Sequence, residues 1–227
     1  MENQTVLSWR DGVPVSARFD DPYYSLDDGL AETRHVFLDG NDLPARLCDG
    51  FHVAELGFGT GLNALVTAAA WDAPGRLRFT SFEMYPLEAR EMAEALAPFD
   101  ALDASALVEA WARGQRLIEL PNMSLEVIEG DARETLPRWE GRADAWYLDG
   151  FSPAKNPELW SHDLLAEVAR HTAPNGTAAS YTAAGHVRRA LSQAGFDVSR
   201  VAGYGRKRHM TRARLGCRLH GGLRDAL

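Results

Sequence analysis

The chain has 227 residues, of which 45% are hydrophobic, a composition typical of a globular protein that can bury a sizeable core. No apolar run is long enough to span a membrane, and the N-terminus lacks the basic and apolar regions of an export signal. We therefore expect a cytoplasmic protein. Cys48 and Cys217 lie far apart and outside any metal-ligand pattern, which predicts two reduced thiols and no metal site.

The order of the predicted elements indicates an α/β fold. Residues 1–50 are polar and rich in turn signals, and predict an N-terminal extension with a hairpin or two and a short helix from Gly29 to Leu38. Strands and helices then alternate, which predicts a doubly wound, mostly parallel sheet that ends in an antiparallel hairpin. Strands are expected at 51–56, 77–83, 124–129, 144–148, 176–182, 196–201 and 207–217, and helices at 62–72, 86–97, 132–139, 158–172 and 185–194. Residues 51–218 would form the main domain, with a helical insertion at about 99–123 (helix from Ala104 to Leu117) and a tail at 219–227.

A glycine-rich turn follows the first strand of this alternation, in the segment Glu55-Leu-Gly57-Phe-Gly59-Thr-Gly61-Leu-Asn63. Strand, glycine turn and helix begin a nucleotide-binding unit, because glycine lets a ligand approach the bare backbone. The carboxylate of Glu55 would repel a pyrophosphate at the helix N-terminus, but it would attract the sulfonium and ammonium of S-adenosylmethionine. The pattern therefore favours that cofactor over NAD, and a purely structural turn is the alternative. The expected binding residues of the segment are Glu55, Gly57, Gly59, Gly61 and Asn63.

Acidic residues follow the next two strands of the alternation. Glu83 lies 22 residues beyond Gly61, where a carboxylate can accept both ribose hydroxyls of a nucleoside, and the alternative is an ordinary surface glutamate. Asp131 is expected to accept the adenine amino group, to cap the helix that begins there, or to do both.

The loop after the fourth strand, Asp149-Gly-Phe151-Ser-Pro-Ala-Lys155-Asn-Pro157, would face the methyl donor and the acceptor together. Amine methyltransferases commonly carry a short polar-proline-aromatic motif at this place. Asp149 would contact the cofactor, orient an acceptor amine and receive its proton, and Phe151 would stack on a planar substrate. A rigid, proline-bounded loop that leads into a helix is the structural alternative.

The distribution of charge differs from its total. The net charge is −8, but residues 185–227 carry ten Lys or Arg against two Asp or Glu. This segment predicts a surface for nucleic-acid phosphates, and a solvated edge strand would look the same. The expected phosphate contacts are Arg188, Arg189, Arg206, Lys207 and Arg208, with Lys155 either joining them or remaining solvated.

Taken together, these segments resemble the tRNA 5-aminomethyl-2-thiouridine methyltransferase family, which is the N-terminal domain of bifunctional MnmC and also occurs as a stand-alone protein. The resemblance covers residues from about Trp9 to Met210. The segments that carry it are Asp20-Asp-Pro-Tyr-Tyr-Ser25, Gly29-Leu-Ala-Glu-Thr-Arg34, the turn from Glu55 to Asn63, Ser81-Phe-Glu83, Trp146-Tyr-Leu-Asp-Gly-Phe151 through Trp160, and Tyr204-Gly-Arg-Lys-Arg208.

This resemblance implies a class I methyltransferase that methylates the primary amine of 5-aminomethyl-2-thiouridine at tRNA wobble position 34, and so a partner in the tRNA anticodon stem-loop. It also implies that Tyr24 and Glu32 lie over the cofactor. The bifunctional enzyme continues into an FAD-dependent domain, so we expect this chain not to bind FAD. Methylation of a protein or small-molecule amine is the alternative, while a scaffold without turnover and an NAD-dependent oxidoreductase are less well supported by the glycine spacing and the acidic strand ends.

Overall fold

The N-terminal extension forms a small antiparallel sheet and a short helix. The protein is described here from a computed structural model, which covers residues 7–26 and 28–216. Strands β1 (Leu7–Arg10), β2 (Val13–Ser16) and β3 (Asp21–Pro22) pair in chain order. Helix α1 (Gly29–Thr33) begins at Asp28, whose carboxylate accepts the Ala31 amide at 2.9 Å, and continues as a wider turn over Arg34–Leu38.

An eight-stranded sheet forms the centre of the molecule. Its strands are β4 (His52–Leu56), β5 (Leu77–Glu83), β6 (Leu117–Leu120), β7 (Met123–Glu129), β8 (Ala143–Leu148), β9 (Thr172–Ser180), β10 (Phe196–Ala202) and β11 (His209–Leu215). Their order is β10-β11-β9-β8-β4-β5-β7-β6, with the middle five parallel and the outer ones antiparallel to their neighbours. The chain leaves β4 toward β5 and later returns to β8 on the other side, so strand order reverses there and a crevice opens at the carboxyl ends of β4 and β8.

Helices cover both faces of this sheet. They are α2 (Leu62–Ala69), α3 (Ala89–Leu96), α4 (Ser105–Ala112), α5 (Ala132–Thr135), α6 (His162–Arg170) and α7 (Gly185–Gln193). Successive strand residues point to opposite faces, so Val53 packs with α2, α3 and α4 while Ala54 packs with α6 and α7. Because both faces of the sheet are buried, the central strands are nearly continuous apolar runs. The predicted α/β, doubly wound fold is confirmed.

The predicted helical insertion at 99–123 differs from the structure. Its helix is confined to α4, and the residues that follow form β6, an edge strand paired antiparallel with β7. Ile118 and Leu120 are buried whereas Leu117 and Glu119 are exposed, so the segment has the period of two that marks a half-buried strand. Its short length hid that signal beside the longer helical pattern.

Several predicted boundaries also move. Helix α6 begins at His162 rather than 158, because the Ser161 hydroxyl caps it by accepting the Leu164 amide and a separate turn occupies Pro157–Trp160. The helix expected at 132–139 is divided into α5 and a tighter turn at Leu136–Arg138. Cys48 is a free, exposed thiol, whereas Cys217 and the tail at 219–227 lie outside the described residues. Within those residues, every helix is too short or too polar to cross a bilayer.

Candidate active site

A cavity of about 650 Å³ lies at the carboxyl ends of the central strands, where the strand order reverses. Its floor and walls are formed by the turn after β4, the end of β5, the start of α5 and the loop after β8. The N-terminal extension and the loop between β10 and β11 complete it. The predicted residues that line it are Tyr24, Glu32, Gly57, Gly59, Asn63, Glu83, Asp131, Asp149, Phe151, Lys155, Arg206 and Lys207.

The glycine turn brings the end of β4 against the end of β8. Gly57, Gly59 and Gly61 have φ of 91°, 54° and 82°, values that other residues adopt only under strain. A Cβ atom on Gly57 would lie 2.5 Å from the carbonyl oxygen of Asp149. Glycine is therefore required at position 57 for the two strand ends to meet and for a ligand to lie against bare backbone.

Glu83 occupies the backbone donors that a phosphate would need. One of its carboxylate oxygens accepts the Gly59 amide at 3.0 Å and the other accepts the Tyr85 amide at 2.7 Å. Burial raises the pKa of Glu83, and these backbone hydrogen bonds oppose the increase. A carboxylate at this place disfavours a pyrophosphate, while its remaining lone pairs can accept the hydroxyls of a nucleoside that carries no phosphate. The site therefore fits S-adenosylmethionine better than a dinucleotide.

Glu55, predicted to contact the cofactor, does not line the cavity in this structure. The side chain is fully buried and accepts hydrogen bonds from the Asn63 amide at 2.8 Å and from the Ser81 hydroxyl at 2.7 Å. Burial raises the pKa of Glu55 well above its ordinary value, and the nearby Asp149 carboxylate raises it further. The alternation along β4 turns this residue toward α2 and β5, and the Asn63 side chain connects it to the cavity wall.

Asn63 connects Glu55 to Asp149. Its side-chain nitrogen also donates to Asp149 at 2.6 Å, and its oxygen accepts the Thr33 hydroxyl at 2.9 Å, which fixes the orientation of the amide. Asp149 is thereby held at the cavity wall with a hydrogen bond that favours its ionised form. Burial nevertheless raises the pKa of Asp149 from 3.8 to about 7, with the Glu32 carboxylate adding to the increase. A carboxyl that titrates near neutrality is suited to accept and release a proton.

The ammonium of Lys207 points into the cavity, which differs from its predicted role at tRNA phosphates. It donates to Glu32 at 2.8 Å and lies 4.0 Å from the ring centroid of Tyr181. The Tyr181 hydroxyl in turn donates to the carbonyl oxygen of Gly150 at 2.7 Å. Tyr181 was not predicted as a site residue, although its position directly after β9 follows the same rule as the other strand ends.

The loop after β8 is attached to the N-terminal extension. Phe151 stacks on Phe19, with ring centroids 4.7 Å apart, and its backbone neighbour Ser152 donates to Asp21 at 2.8 Å. Lys155 forms ion pairs with Asp20 and Asp21, the latter at 3.2 Å, and its side chain remains 37% exposed. Phe19 and Asp21 are lining residues that were not predicted as site residues, although Asp21 lies in a segment that carries the family resemblance.

Tyr24 and Asp131 hold parts of the cavity wall in place. The Tyr24 hydroxyl donates to the carbonyl oxygen of Ala95 at 2.9 Å, and its ring meets the edge of Phe99. Asp131 caps α5 by accepting the Arg133 amide at 2.9 Å, and both of its oxygens accept from the guanidinium of the same arginine. The predicted cap is therefore present, and the Arg133 hydrogen bonds lower the pKa of Asp131 despite its partial burial.

A basic cluster lies outside the cavity, on α7 and the last two strands. The pKa of His209 is lowered, first by desolvation and then by the charges of Arg200, Arg208 and Arg188, so these groups lie near one another. Two of them were predicted, and Arg200 was missed because it stands alone in its sequence neighbourhood. Arg189 folds back toward Gly185 at the start of its own helix. Arg206 lines the cavity itself, and the part of the basic segment 185–227 that begins at residue 217 lies outside the described residues.

Comparison with known proteins identifies the family of the chain. Residues 101–216 match the model of a family described as S-adenosyl-L-methionine-dependent methyltransferase. A tRNA 5-methylaminomethyl-2-thiouridine biosynthesis bifunctional protein MnmC from Caulobacter sp. (strain K31) is 47% identical over 226 residues, which is 91% of this chain and 38% of that protein. The protein of the same name from Aeromonas hydrophila is 46% identical over 227 residues, 90% of this chain and 34% of its own length. The chain thus spans little more than a third of these relatives.

Solved structures lead to the same fold. The structure of MnmC2 from Aquifex aeolicus superposes with a TM-score of 0.68 at 27% identity, covering 89% of this chain and 67% of that one. Spermidine synthase from Thermotoga maritima, at 11% identity and a TM-score of 0.57, covers 93% and 72% and shares the fold alone. The class I methyltransferase fold and the family resemblance predicted from the sequence are both confirmed.

Proposed function

The chain belongs to the S-adenosyl-L-methionine-dependent methyltransferases, and we propose that its acceptor is the primary amine of 5-aminomethyl-2-thiouridine at the wobble position of tRNA. The product would be 5-methylaminomethyl-2-thiouridine. One observation carries the proposal: a carboxyl that titrates near neutrality, Asp149, lies at the cavity wall beside the glycine turn. The names of the MnmC relatives supply the identity of the modified nucleoside.

The cofactor would lie against the glycine turn. Gly57 and Gly59 line the cavity at this place, whereas Gly61, also expected there, faces Leu107 and Phe58 instead. Glu83 would accept the ribose hydroxyls of the cofactor, and Asp131 would accept its adenine amino group with lone pairs that Arg133 leaves free. Tyr24 and Glu32, which belong to the extension, would cover it from above. Asn63 would act from the cavity wall, where it also fixes Asp149.

Asp149 is the residue that prepares the amine. An alkylammonium cannot attack until it loses a proton, and a carboxyl with a pKa of about 7 is close to half ionised at neutral pH, ready to take that proton. When bound, S-adenosyl-L-methionine supplies a methyl group on a sulfonium, and the lone pair of the amine forms the new N–C bond as the S–C bond breaks. The extension contributes by excluding water, since Phe19 and Tyr23 pack against Phe151 at the mouth of the cavity.

The tRNA would bind across the basic cluster and the mouth of the cavity. Arg188, Arg200 and Arg208 provide a phosphate-binding surface on α7, β10 and the adjoining loop, with Arg189 and Arg206 at its margins. A wobble base must leave its stack to reach Asp149, and Phe151 would receive it on the ring surface that Phe19 leaves open. The anticodon stem-loop would thus be held by its backbone and identified by its extruded base.

The proposal is tested by incubating the protein and S-adenosyl-L-methionine with tRNA from a strain that lacks this activity, and then weighing the digested nucleosides. We expect a gain of one methyl group at aminomethyl-2-thiouridine. Asp149→Asn should abolish the gain while cofactor affinity, measured by calorimetry, changes little. Asp163→Asn makes the same chemical change at a fully exposed carboxylate and should retain wild-type activity. Cofactor binding without any gain in tRNA would refute the substrate and direct the search to amines of proteins or small molecules.

A further inference from the structure

A glycine separates the two residues of the β8 loop on which the proposed methyl transfer depends. Gly150 lies between Asp149 and Phe151, and a Cβ atom on it would overlap the side chain of Leu159. Any larger residue would therefore displace Leu159 from this loop. Glycine, however, leaves its own backbone dihedral angles almost unrestricted. The relative orientation of Asp149 and Phe151 thus depends on contacts that hold the backbone of the loop.

Two aromatic side chains donate hydrogen bonds to the carbonyl groups of this loop. The Tyr181 hydroxyl donates to the carbonyl oxygen of Gly150 at 2.7 Å. The indole nitrogen of Trp160 donates to the carbonyl oxygen of Phe151 at 2.8 Å. The two aromatic rings also meet edge to face, with centroids 6.2 Å apart. Two consecutive peptide groups of the loop are therefore anchored on one pair of packed side chains.

Tyr181 is placed and protonated in the way that this anchor requires. The residue directly follows β9, which pairs in parallel with β8, so it leaves the sheet at the same edge as the loop. Its ring also packs against the ammonium of Lys207 at 4.0 Å. Burial raises the pKa of the Tyr181 hydroxyl well above its ordinary value, so the hydroxyl keeps its proton and remains a donor.

The anchor acts on the part of the loop that is otherwise least constrained. On the N-terminal side, the Asp149 amide donates to the carbonyl oxygen of Leu56 at 3.1 Å, which ties that residue to β4. Rotation of the next peptide group, between Gly150 and Phe151, would move the Phe151 ring relative to the Asp149 carboxyl. Transfer needs the amine in line with the breaking S–C bond, and a displacement of about 1 Å can lower a rate about a hundred-fold.

We propose that Tyr181 is a positioning residue for methyl transfer: its hydroxyl holds the Gly150 carbonyl so that the Asp149 carboxyl and the Phe151 ring face the acceptor together. This role rests on the proposed function, because it assigns the amine to Asp149 and the planar base to Phe151. Tyr181 transfers neither the proton nor the methyl group, and it acts through the backbone of the loop.

The test compares two substitutions that each remove one hydrogen-bonded tyrosine hydroxyl. Tyr181→Phe keeps the ring that contacts Trp160 and Lys207. Tyr147→Phe is the matched control, because the Tyr147 hydroxyl is hydrogen-bonded to that of Thr67 at 3.0 Å and neither residue lines the cavity. Both variants lose a hydrogen bond of ordinary strength, so a difference in activity between them reports the place of the bond and not its loss alone.

Amide hydrogen exchange without cofactor or tRNA measures the order of the loop and needs no enzymatic activity. The reporter is the Ser152 amide, which donates to Asp21 at 2.8 Å. A hydrogen bond of ordinary net strength changes an equilibrium about ten-fold. Exchange at Ser152 should therefore be about ten-fold faster in Tyr181→Phe and unchanged in Tyr147→Phe.

The kinetic test uses turnover at saturating tRNA and cofactor. Tyr181→Phe should lower kcat about ten-fold, less than the full cost of a misplaced loop because Trp160 still holds the Phe151 carbonyl. The affinity for S-adenosyl-L-methionine by calorimetry and the midpoint of the pH profile should change little, since the Asp149 carboxyl is retained. Tyr147→Phe should keep the wild-type kcat.

Three results would overturn the proposal: unchanged kcat or unchanged Ser152 exchange in Tyr181→Phe, an equal fall of kcat in Tyr147→Phe, or a shifted pH midpoint in Tyr181→Phe, which would mean that the hydroxyl acts on the proton. If the wild-type protein methylates no tRNA, the proposed function fails, while the exchange at Ser152 still decides whether Tyr181 holds the loop.

Discussion

Asp149→Asn is expected to stabilise the protein while abolishing its activity. In the folded chain, burial raises the pKa of Asp149 from 3.8 to about 7, so its ionised form is less favourable than in the unfolded chain. Each pH unit between the two values corresponds to about 1.4 kcal/mol, which gives a cost of about 4 kcal/mol above pH 7 as an upper limit. The asparagine keeps an oxygen that can accept the Asn63 hydrogen bond and carries no charge, so it removes this cost.

The sign of the pH dependence makes this prediction specific. Below pH 4 the carboxyl is protonated in both states and contributes nothing, and between pH 4 and 7 the folded state binds the extra proton, so wild-type stability falls as pH rises. The stability difference between Asp149→Asn and wild type should therefore grow from near zero at pH 4 to a plateau above pH 7.

Urea unfolding of both proteins without cofactor at several pH values measures this difference, with Asp163→Asn as the exposed control. A difference that does not change with pH would refute the idea that Asp149 is held in its ionised form at a cost.

Two other changes test the glycine turn and the docking of the extension. Gly57→Ala should lose cofactor binding by calorimetry and about 2–4 kcal/mol of stability, since a Cβ atom would lie 2.5 Å from the Asp149 carbonyl oxygen. Gly12→Ala, with a similar φ of 79° and no atom within 4 Å, isolates the backbone strain and should cost about 1 kcal/mol; equal losses in both would contradict the steric reasoning. Lys155→Met should change global stability by less than about 1 kcal/mol, because its ion pairs are partly exposed, but it should speed amide exchange at Ser152. Unchanged exchange there would mean that Lys155 does not hold the extension.

The sequence predicts which residues meet at the cavity better than it predicts what each side chain contacts. Gly57, Glu83, Asp131 and Asp149 follow different strands, and they line one cavity because the carboxyl ends of parallel strands share an edge. This inference needs only the alternation of strands and helices. The strand β6 could not be predicted in this way, because Leu117 is apolar although exposed, and its four residues therefore show no strict alternation of apolar and polar types.

The partners of Glu55 and Lys207 depend on tertiary approach, which local patterns do not contain. Glu55 lies on a strand, but its sequence position does not reveal that Ser81 and Asn63 will satisfy it away from the cavity. Lys207 and Glu32 are 175 residues apart, and the basic run around Lys207 gives no sign that one of its cations turns inward. A side chain with several plausible partners takes the one that the folded backbone brings nearest.

Asp149 is controlled from parts of the chain that are distant in sequence, and this arrangement links substrate access to chemistry. Glu32 lies in the extension that covers the cavity, and Lys207 lies in the loop that borders the proposed tRNA surface. The charges of these two residues move the pKa of Asp149 in opposite directions. A ligand that separated Lys207 from Glu32 would be expected to change the ionisation of Asp149, the carboxyl that we propose as the proton acceptor. The acceptor amine, itself a cation, would interact with the same carboxylates, so its arrival and the readiness of Asp149 to deprotonate it are coupled through the same charges.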